Sequence, residues 1–280
     1  MTQALPAQRA QTAATSRARR TSMRDALHAE LTKARTLPCT GWLLLAAVAV
    51  TVIVGAAIAA AVRCPYGHCS EDPARISLTG IYLGQAVIAI AAVLAVSSEY
   101  STGMIRVTLT AMPSRATVLA AKAAILTGPV LVAGALAVLG SMQAGRLILS
   151  GHGISPAHGY PDLSLASGPI LRAAVGSVLY LTLIALLSLG TAAAVRDGAA
   201  AIGIVLGLLY LFPILGQLAG NGTWHRHLEQ LAPMTAGLAI QATTGLHSLP
   251  ISPWAGLGVL AAWAVAALLA GGIQFRLSDA

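Results

Sequence analysis

The chain has 280 residues, 56% of them hydrophobic and 9% charged, where a soluble globular domain carries about 25% charged side chains. The net charge of +8 rests on 17 Lys and Arg against 9 Asp and Glu, and these are gathered between uncharged windows at 36–62, 76–98, 123–145, 173–195, 198–225 and 230–275. A helix needs about 20 apolar residues to cross the hydrocarbon core, so the pattern excludes a water-soluble domain, and the missing apolar–polar alternation excludes a lipid-facing β-barrel; the fold class expected is all-α, a polytopic membrane protein of six transmembrane helices with an N-terminal interfacial helix.

Residues 1–21 are rich in Ala, Thr and Arg and have no hydrophobic period, which predicts a disordered cytoplasmic tail. "RARRT" (Arg17 to Thr21) is not a twin-arginine signal, since no apolar stretch follows closely, and the first apolar run is too long for a cleavable leader. Residues 22–38 read differently. Ser22 and Asp25 match a capping box, and on a helix Met23, Ala26, Leu27, Leu31, Ala34 and Leu37 share a face opposite Arg24, His28, Thr32 and Arg35. That predicts an interfacial amphipathic helix on the inner leaflet, ended by Pro38.

The six-span transmembrane domain, 39–280, is expected to place spans at about 41–62, 76–97, 116–140, 171–195, 199–219 and 254–275. A cytoplasmic N-terminus puts twelve Lys and Arg on inner segments and five (Arg63, Arg75, Arg146, Arg172, Arg226) on outer ones, as the positive-inside rule requires. This basic bias replaces a nucleic-acid reading of the net charge; no nucleic-acid partner is expected. Cys64 and Cys69 in "CPYGHC" fall in the first outer loop. A disulfide or free thiols suit them better than a metal, because two Cys and His68 make an incomplete tetrahedral set; no metal site is expected.

Two regions resist a simple span reading. Residues 228–249 carry Pro233, Gln241, Thr243, Thr244 and His247 and are weakly hydrophobic. Re-entrant or outer-face helices are expected there, a form tolerated when the backbone is buried against protein; a seventh span is the alternative. Gly80-x-x-x-Gly84, Gly203-x-x-x-Gly207 and Gly216-x-x-x-Gly220 are spacings that let helices approach closely.

The other exception is residues 98–115, within "SSEYSTGMIRVTLTAMPSR". On a helix, Thr102, Arg106 and Thr110 form a narrow polar arc, while Met104, Ile105, Val107, Leu109, Ala111 and Met112 cover the rest. An apolar face that wide must be covered by lipid, by the bundle or by another protein. Gly103 permits a bend out of the second span, and Pro113 with Ser114 ends this helix and caps the next.

Catalytic motifs are missing. There is no Gly-x4-Gly-Lys-[Ser/Thr], His-Glu-x-x-His or Gly-x-Ser-x-Gly, so no catalytic residue is expected and the chain is read as not an enzyme. The polar residues within spans (Thr51, Gln85, Thr127, Ser177, Thr182, Ser188, Thr191) have no His, Lys or Asp at similar depth. Gln85 and Ser177 either line a polar path or hydrogen-bond neighbouring helices. No charge lies at mid-membrane, which disfavours an ion-coupled carrier. Most His residues, including "WHRH" (Trp224 to His227), fall in outer loops and read as solvated.

The order Glu99, Gly103, Arg106, Leu109, Pro113, Arg115, Lys122 resembles the first cytoplasmic loop of type-2 ABC exporter permeases, with Met104 where Thr is frequent. "LHAELTKARTLPCTGWLLLA" (Leu27 to Ala46) and "LEQLAPMTAGLAI" (Leu228 to Ile240) are similar to the start and the pre-final stretch of actinobacterial members. The resemblance implies a half-exporter in the bacterial cytoplasmic membrane, N-terminus inside. Its partners would be a separate ABC ATPase subunit and a second permease subunit, as homodimer or heterodimer, with membrane lipid around them. It implies no cofactor on this chain, ATP-Mg being held by the ATPase. Glu99, Gly103, Ile105, Arg106, Leu109, Pro113 and Arg115 would be the coupling residues, Ile105 and Leu109 filling the ATPase cleft. The expected activity is outward movement of a hydrophobic or amphipathic substrate; the alternative is a non-transporting membrane scaffold or sensor.

Overall fold

A computed structural model describes residues 38–62, 72–101, 115–151, 163–218, 227 and 229–277. The N-terminal tail and interfacial helix, Cys64 and Cys69, and most of the 98–115 segment lie outside the described residues. The described chain is helical, with no strand among the described residues. The elements in order are α1 (Pro38–Ala61), α2 (Pro73–Leu78), α3 (Ile81–Ser101), α4 (Arg115–Gly151), α5 (Gly168–Val195), α6 (Gly198–Leu218), α7 (Pro233–Leu238), two 3₁₀ turns (Ala239–Gln241 and Leu246–Ser248) and α8 (Pro253–Leu277). Six helices are long and apolar enough to cross a membrane: Thr40–Ala61, Pro73–Ser98, Leu119–Gly151, Gly168–Val195, Gly198–Gly216 and Pro253–Gln274. The protein is an all-α, multi-pass membrane protein.

Four of these helices keep close to the expected bounds, and two depart from them. The third runs on to Gly151 instead of ending near Gly140, so Arg146 stands on the helix and not in a loop. At 37 residues and about 1.5 Å per residue, α4 is roughly 55 Å long, far beyond the bilayer core. An exposed Arg near such an end reaches polar surroundings while its stem stays on apolar surface. The second span is broken near its start, where Thr79 and Gly80 form a turn between α2 and α3. Asp72 caps α2 by accepting from Ala74 N at 3.0 Å, with Pro73 at the first helical position.

α5 is the centre of the bundle. It packs on α3, α4, α6, α8 and the 3₁₀ turn after α7, and 61% of its apolar window is buried, against 17% for α6. Its core side chains include Ile170, Tyr180, Leu181, Ile184, Leu187 and Leu189, all essentially inaccessible. Lipid tails are as apolar as these side chains, so burial alone gives little association; close van der Waals contact must supply it. Small residues make that contact possible. A Cβ on Gly190 of α5 would lie 2.5 Å from Leu268 N of α8, and one on Gly271 would lie 2.9 Å from Gly190 O. Gly80 and Gly84 both abut Thr51 of α1, so that spacing serves a helix contact. Gly203 and Gly207 of α6 have nothing within 4 Å.

The bundle has two unlike ends. The apical end carries α2, the α7 region and the start of α8; the opposite end carries the α5–α6 turn and the far ends of α3 and α8.

Gly190→Val places a methyl-bearing Cβ against backbone that cannot yield. It should cost about 1–3 kcal/mol and lower the unfolding midpoint in detergent. Gly203→Val faces open space and should stay within about 0.5 kcal/mol of the parent. Equal effects at the two sites would refute this packing.

Candidate functional site

The polar residues of the spans divide by how their hydrogen bonds are made. Thr51, Thr127, Thr182, Ser188 and Thr191 each donate to the carbonyl four residues back, at 2.7, 2.6, 2.9, 2.7 and 2.8 Å. A hydroxyl bonded to its own helix needs no partner across the bundle, so five of the seven polar residues that the sequence places within spans carry no inter-helix chemistry of their own. Gln85 and Ser177 are the two that differ.

Gln85 of α3 is fully buried and joins three elements. Its Oε1 accepts from the Tyr180 hydroxyl of α5, and its Nε2 points at Met234 Sδ of α7 at 3.3 Å. A thioether is a weak acceptor, so that amide N–H₂ is only partly satisfied. Tyr180 lies twelve residues into α5, about 18 Å along the helix, and Gly237 of α7 packs so closely on its ring that a Cβ there would come within 2.6 Å. One turn outward, the Tyr210 hydroxyl of α6 donates to the Tyr82 carbonyl of α3. Ser177 Oγ and Gln241 Nε2 are buried and have no hydrogen-bond partner among the described residues. The structure thus gives Gln85 neighbouring helices as partners and leaves Ser177 unsatisfied.

Above this seam lies the segment 229–252, the longest stretch of irregular backbone within the described bundle. Residues Ala236, Ile240 and Ala242 are fully buried in it, and it touches α2, α5, α6 and α8. Among the side chains that hold its backbone groups are its own and one from α8. Gln230 Nε2 donates to Pro250 O at 2.7 Å, Thr235 Oγ1 to Glu229 O at 2.9 Å, and Trp263 Nε1 of α8 to Leu231 O at 3.0 Å. Gly256 of α8 abuts Ala236 O, and Ile240 fills the space that a side chain on Gly176 would need. Gly245, at φ 62°, turns the chain back toward α8.

At the opposite end Arg196 closes α5 in the left-handed region, φ 63°. Its N–H donates to Ala192 O at 3.0 Å and its Nη2 to Gln274 O of α8 at 2.8 Å. A cation on the last carbonyls of a helix is electrostatically favoured. Asp197 Oδ1 caps α6 through Ala200 N at 2.7 Å. Gly198 sits against Ser97 of α3, whose Oγ would lie 2.9 Å from a Cβ at that position. Lys122 of α4 is buried near this end.

Among the expected coupling residues, Glu99 lies on the last turn of α3 and Arg115 opens α4. Gly103, Ile105, Arg106, Leu109 and Pro113 lie outside the described residues, between those two helices. Among the described residues no three His, Cys, Asp or Glu side chains gather as a metal ion would require. Asp72, Tyr180 and Tyr210 carry no expectation from the sequence, and Arg172 figures there only as an outer-segment charge. For Asp72 the signal was present in the Asp-Pro pair before an apolar run; Tyr180 was counted as apolar although its hydroxyl, at mid-span, needs a partner.

No known family model matches this chain, and no characterised protein matches it significantly. The likeness to type-2 ABC exporters therefore stands on the quoted motifs and their order.

Tyr180→Phe strands the Gln85 carbonyl and Gln85→Leu strands the Tyr180 hydroxyl. Each should destabilise the bundle by about 1 kcal/mol in reversible SDS unfolding. The double variant, leaving neither group stranded, should be less destabilised than the sum of the two; strict additivity would mean that the pair is not coupled.

Proposed function

We propose that this chain is the transmembrane permease subunit of an ATP-driven ABC exporter. It would move a hydrophobic or amphipathic substrate outward across a bacterial cytoplasmic membrane while a separate subunit hydrolyses ATP. The observation that carries the reading is the ordered set Glu99, Gly103, Arg106, Leu109, Pro113, Arg115 and Lys122, running from the end of the second apolar helix into the start of the third. Two further features support it. The chain has no phosphate-binding loop of its own, and no Asp, Glu, Lys, Arg or His sits mid-span to couple an ion gradient.

In this reading the 98–115 segment is the mechanical input. Arg106 meets polar groups of the ATPase, and Ile105 and Leu109 enter an apolar cleft on it. The opposite end of the bundle then receives the force, since α3 and α4 both terminate in that segment. The contact of Ser97 with Gly198 passes displacement of α3 to the α5–α6 turn, and the Arg196 bond to Gln274 passes it to α8. Two such halves would rock between inward- and outward-open arrangements as the ATPase pair closes and opens.

The test is co-expression with a Walker-motif ATPase encoded beside the gene. Arg106→Asp with Leu109→Asp should abolish ATPase co-purification and transport while membrane insertion persists, a loss of tenfold or more for about 1.4 kcal/mol of docking energy. Unchanged co-purification and transport would remove these residues from the coupling role. A partner set lacking any ATPase, with no ATP-dependent efflux, would favour the scaffold or sensor reading instead.

A further inference from the structure

The peptide unit joining Ala242 to Thr243 is gripped from both sides by opposite charges. Its carbonyl accepts from Arg172 Nη2 of α5 at 2.5 Å, and its N–H donates to Asp72 Oδ2, ahead of α2, at 2.5 Å. The same carboxylate accepts from Thr244 N at 3.0 Å, from Thr243 Oγ1 at 2.7 Å and from Ala74 N at 3.0 Å. Asp72 is 7% exposed. Its charge is balanced through the peptide: guanidinium on the oxygen, carboxylate on the N–H, and the peptide dipole aligned between them. Hydrogen bonds to charged groups are among the strong ones in a protein, and a buried carboxylate stripped of them is costly.

These bonds fasten a piece of chain with little order of its own. α7 has six residues, and the turns after it have three each. Helices this short do not persist without tertiary contact. Residues Thr244 to Ser248 are exposed, and Gly245 is the point where the backbone turns. Beneath the clamp lie Ile240, seated on Gly176, and the unsatisfied Gln241 amide. Local opening takes place in the segments held by fewest contacts.

We propose that Asp72, the Ala242–Thr243 peptide and Arg172 form a latch that holds residues 239–245 over the apical end of the bundle, and that this end opens by breaking it. The latch is a conformational device of the fold, whatever the bundle carries and whichever partner drives it.

The full chain, with Cys39, Cys64 and Cys69 changed to Ser, would carry one reporter thiol, Ile240→Cys, and its labelling rate by a maleimide would be measured in detergent. Asp72→Ala and Arg172→Ala should each accelerate labelling about tenfold or more; Arg172→Ala leaves the α2 cap intact. The exchange Asp72→Arg with Arg172→Asp should not restore the slow rate, because it sets a cation on the N–H and an anion on the carbonyl. A second reporter, Ser188→Cys, lies deep on α5 and should stay slow in every variant. An unchanged Ile240→Cys rate in either single variant, equal acceleration at Ser188→Cys, or restoration by the exchange, as a direct ion pair would give, overturns the latch.

Discussion

Hydrocarbon offers no water to replace a missing hydrogen-bond partner, and this requirement governs where the chain departs from regular helix. Within the six spans the Thr and Ser hydroxyls mostly return to their own helix. Among the described residues, the apolar stretches break at the apical end, at Thr79–Gly80 and over residues 232–252. Over residues 232–252 side chains take up the freed groups: Asp72 and Arg172 on the Ala242–Thr243 peptide, Trp263 on Leu231, Gln230 on Pro250. The buried seam of Gln85, Tyr180 and Met234 is the inward continuation of the same region.

Packing follows from the same solvent. Helices embedded in lipid gain little from burying Leu or Ile, so contact distance decides which of them adhere. The α5–α8 pair meets through Gly190 and Gly271 at a separation that admits no side chain, and the α1–α3 pair through Thr51 with Gly80 and Gly84. α6 has no comparable contact along Gly203 and Gly207 and is the least buried of the six. Its closest attachments lie near its two ends: Gly198 against Ser97 at one, the Tyr210 bond to α3 near the other.

The six spans were legible because charge is excluded from hydrocarbon more strictly than any other property, and uncharged windows mark them directly. The same signal misled at α4. Arg146 reads as a loop marker by charge, yet on a helix longer than the bilayer it stands beyond the core with its helix intact. The break between α2 and α3 left no trace in hydropathy, because Thr79 and Gly80 are neutral and Gly80 also fits a helix contact. Gln85 stood out as a polar residue in a span, but its partner did not, since Tyr180 is 95 residues away and counts as apolar by composition. The Asp72 contacts to Thr243 and Thr244 span 171 and 172 residues. Pairings at that separation arise only when α5 and α8 bring the two stretches together.

α5 is tied at both ends to the last quarter of the chain, and in the same manner. Near its start Arg172 donates to the Ala242 carbonyl; just past its end Arg196 donates to the Gln274 carbonyl. Between these points Gly176 receives Ile240, Tyr180 packs on Gly237, and Gly190 meets the backbone of α8. A helix fixed to α8 at its middle and bottom, and to the stretch just before α8 at its top, resists sliding and tilting relative to α8. α5 and α8 accordingly form one stiff unit, although α6 intervenes in the sequence. Relative motion is then easiest between that unit and the remaining helices, or at the apical stretch gripped by the Asp72 carboxylate and the Arg172 guanidinium.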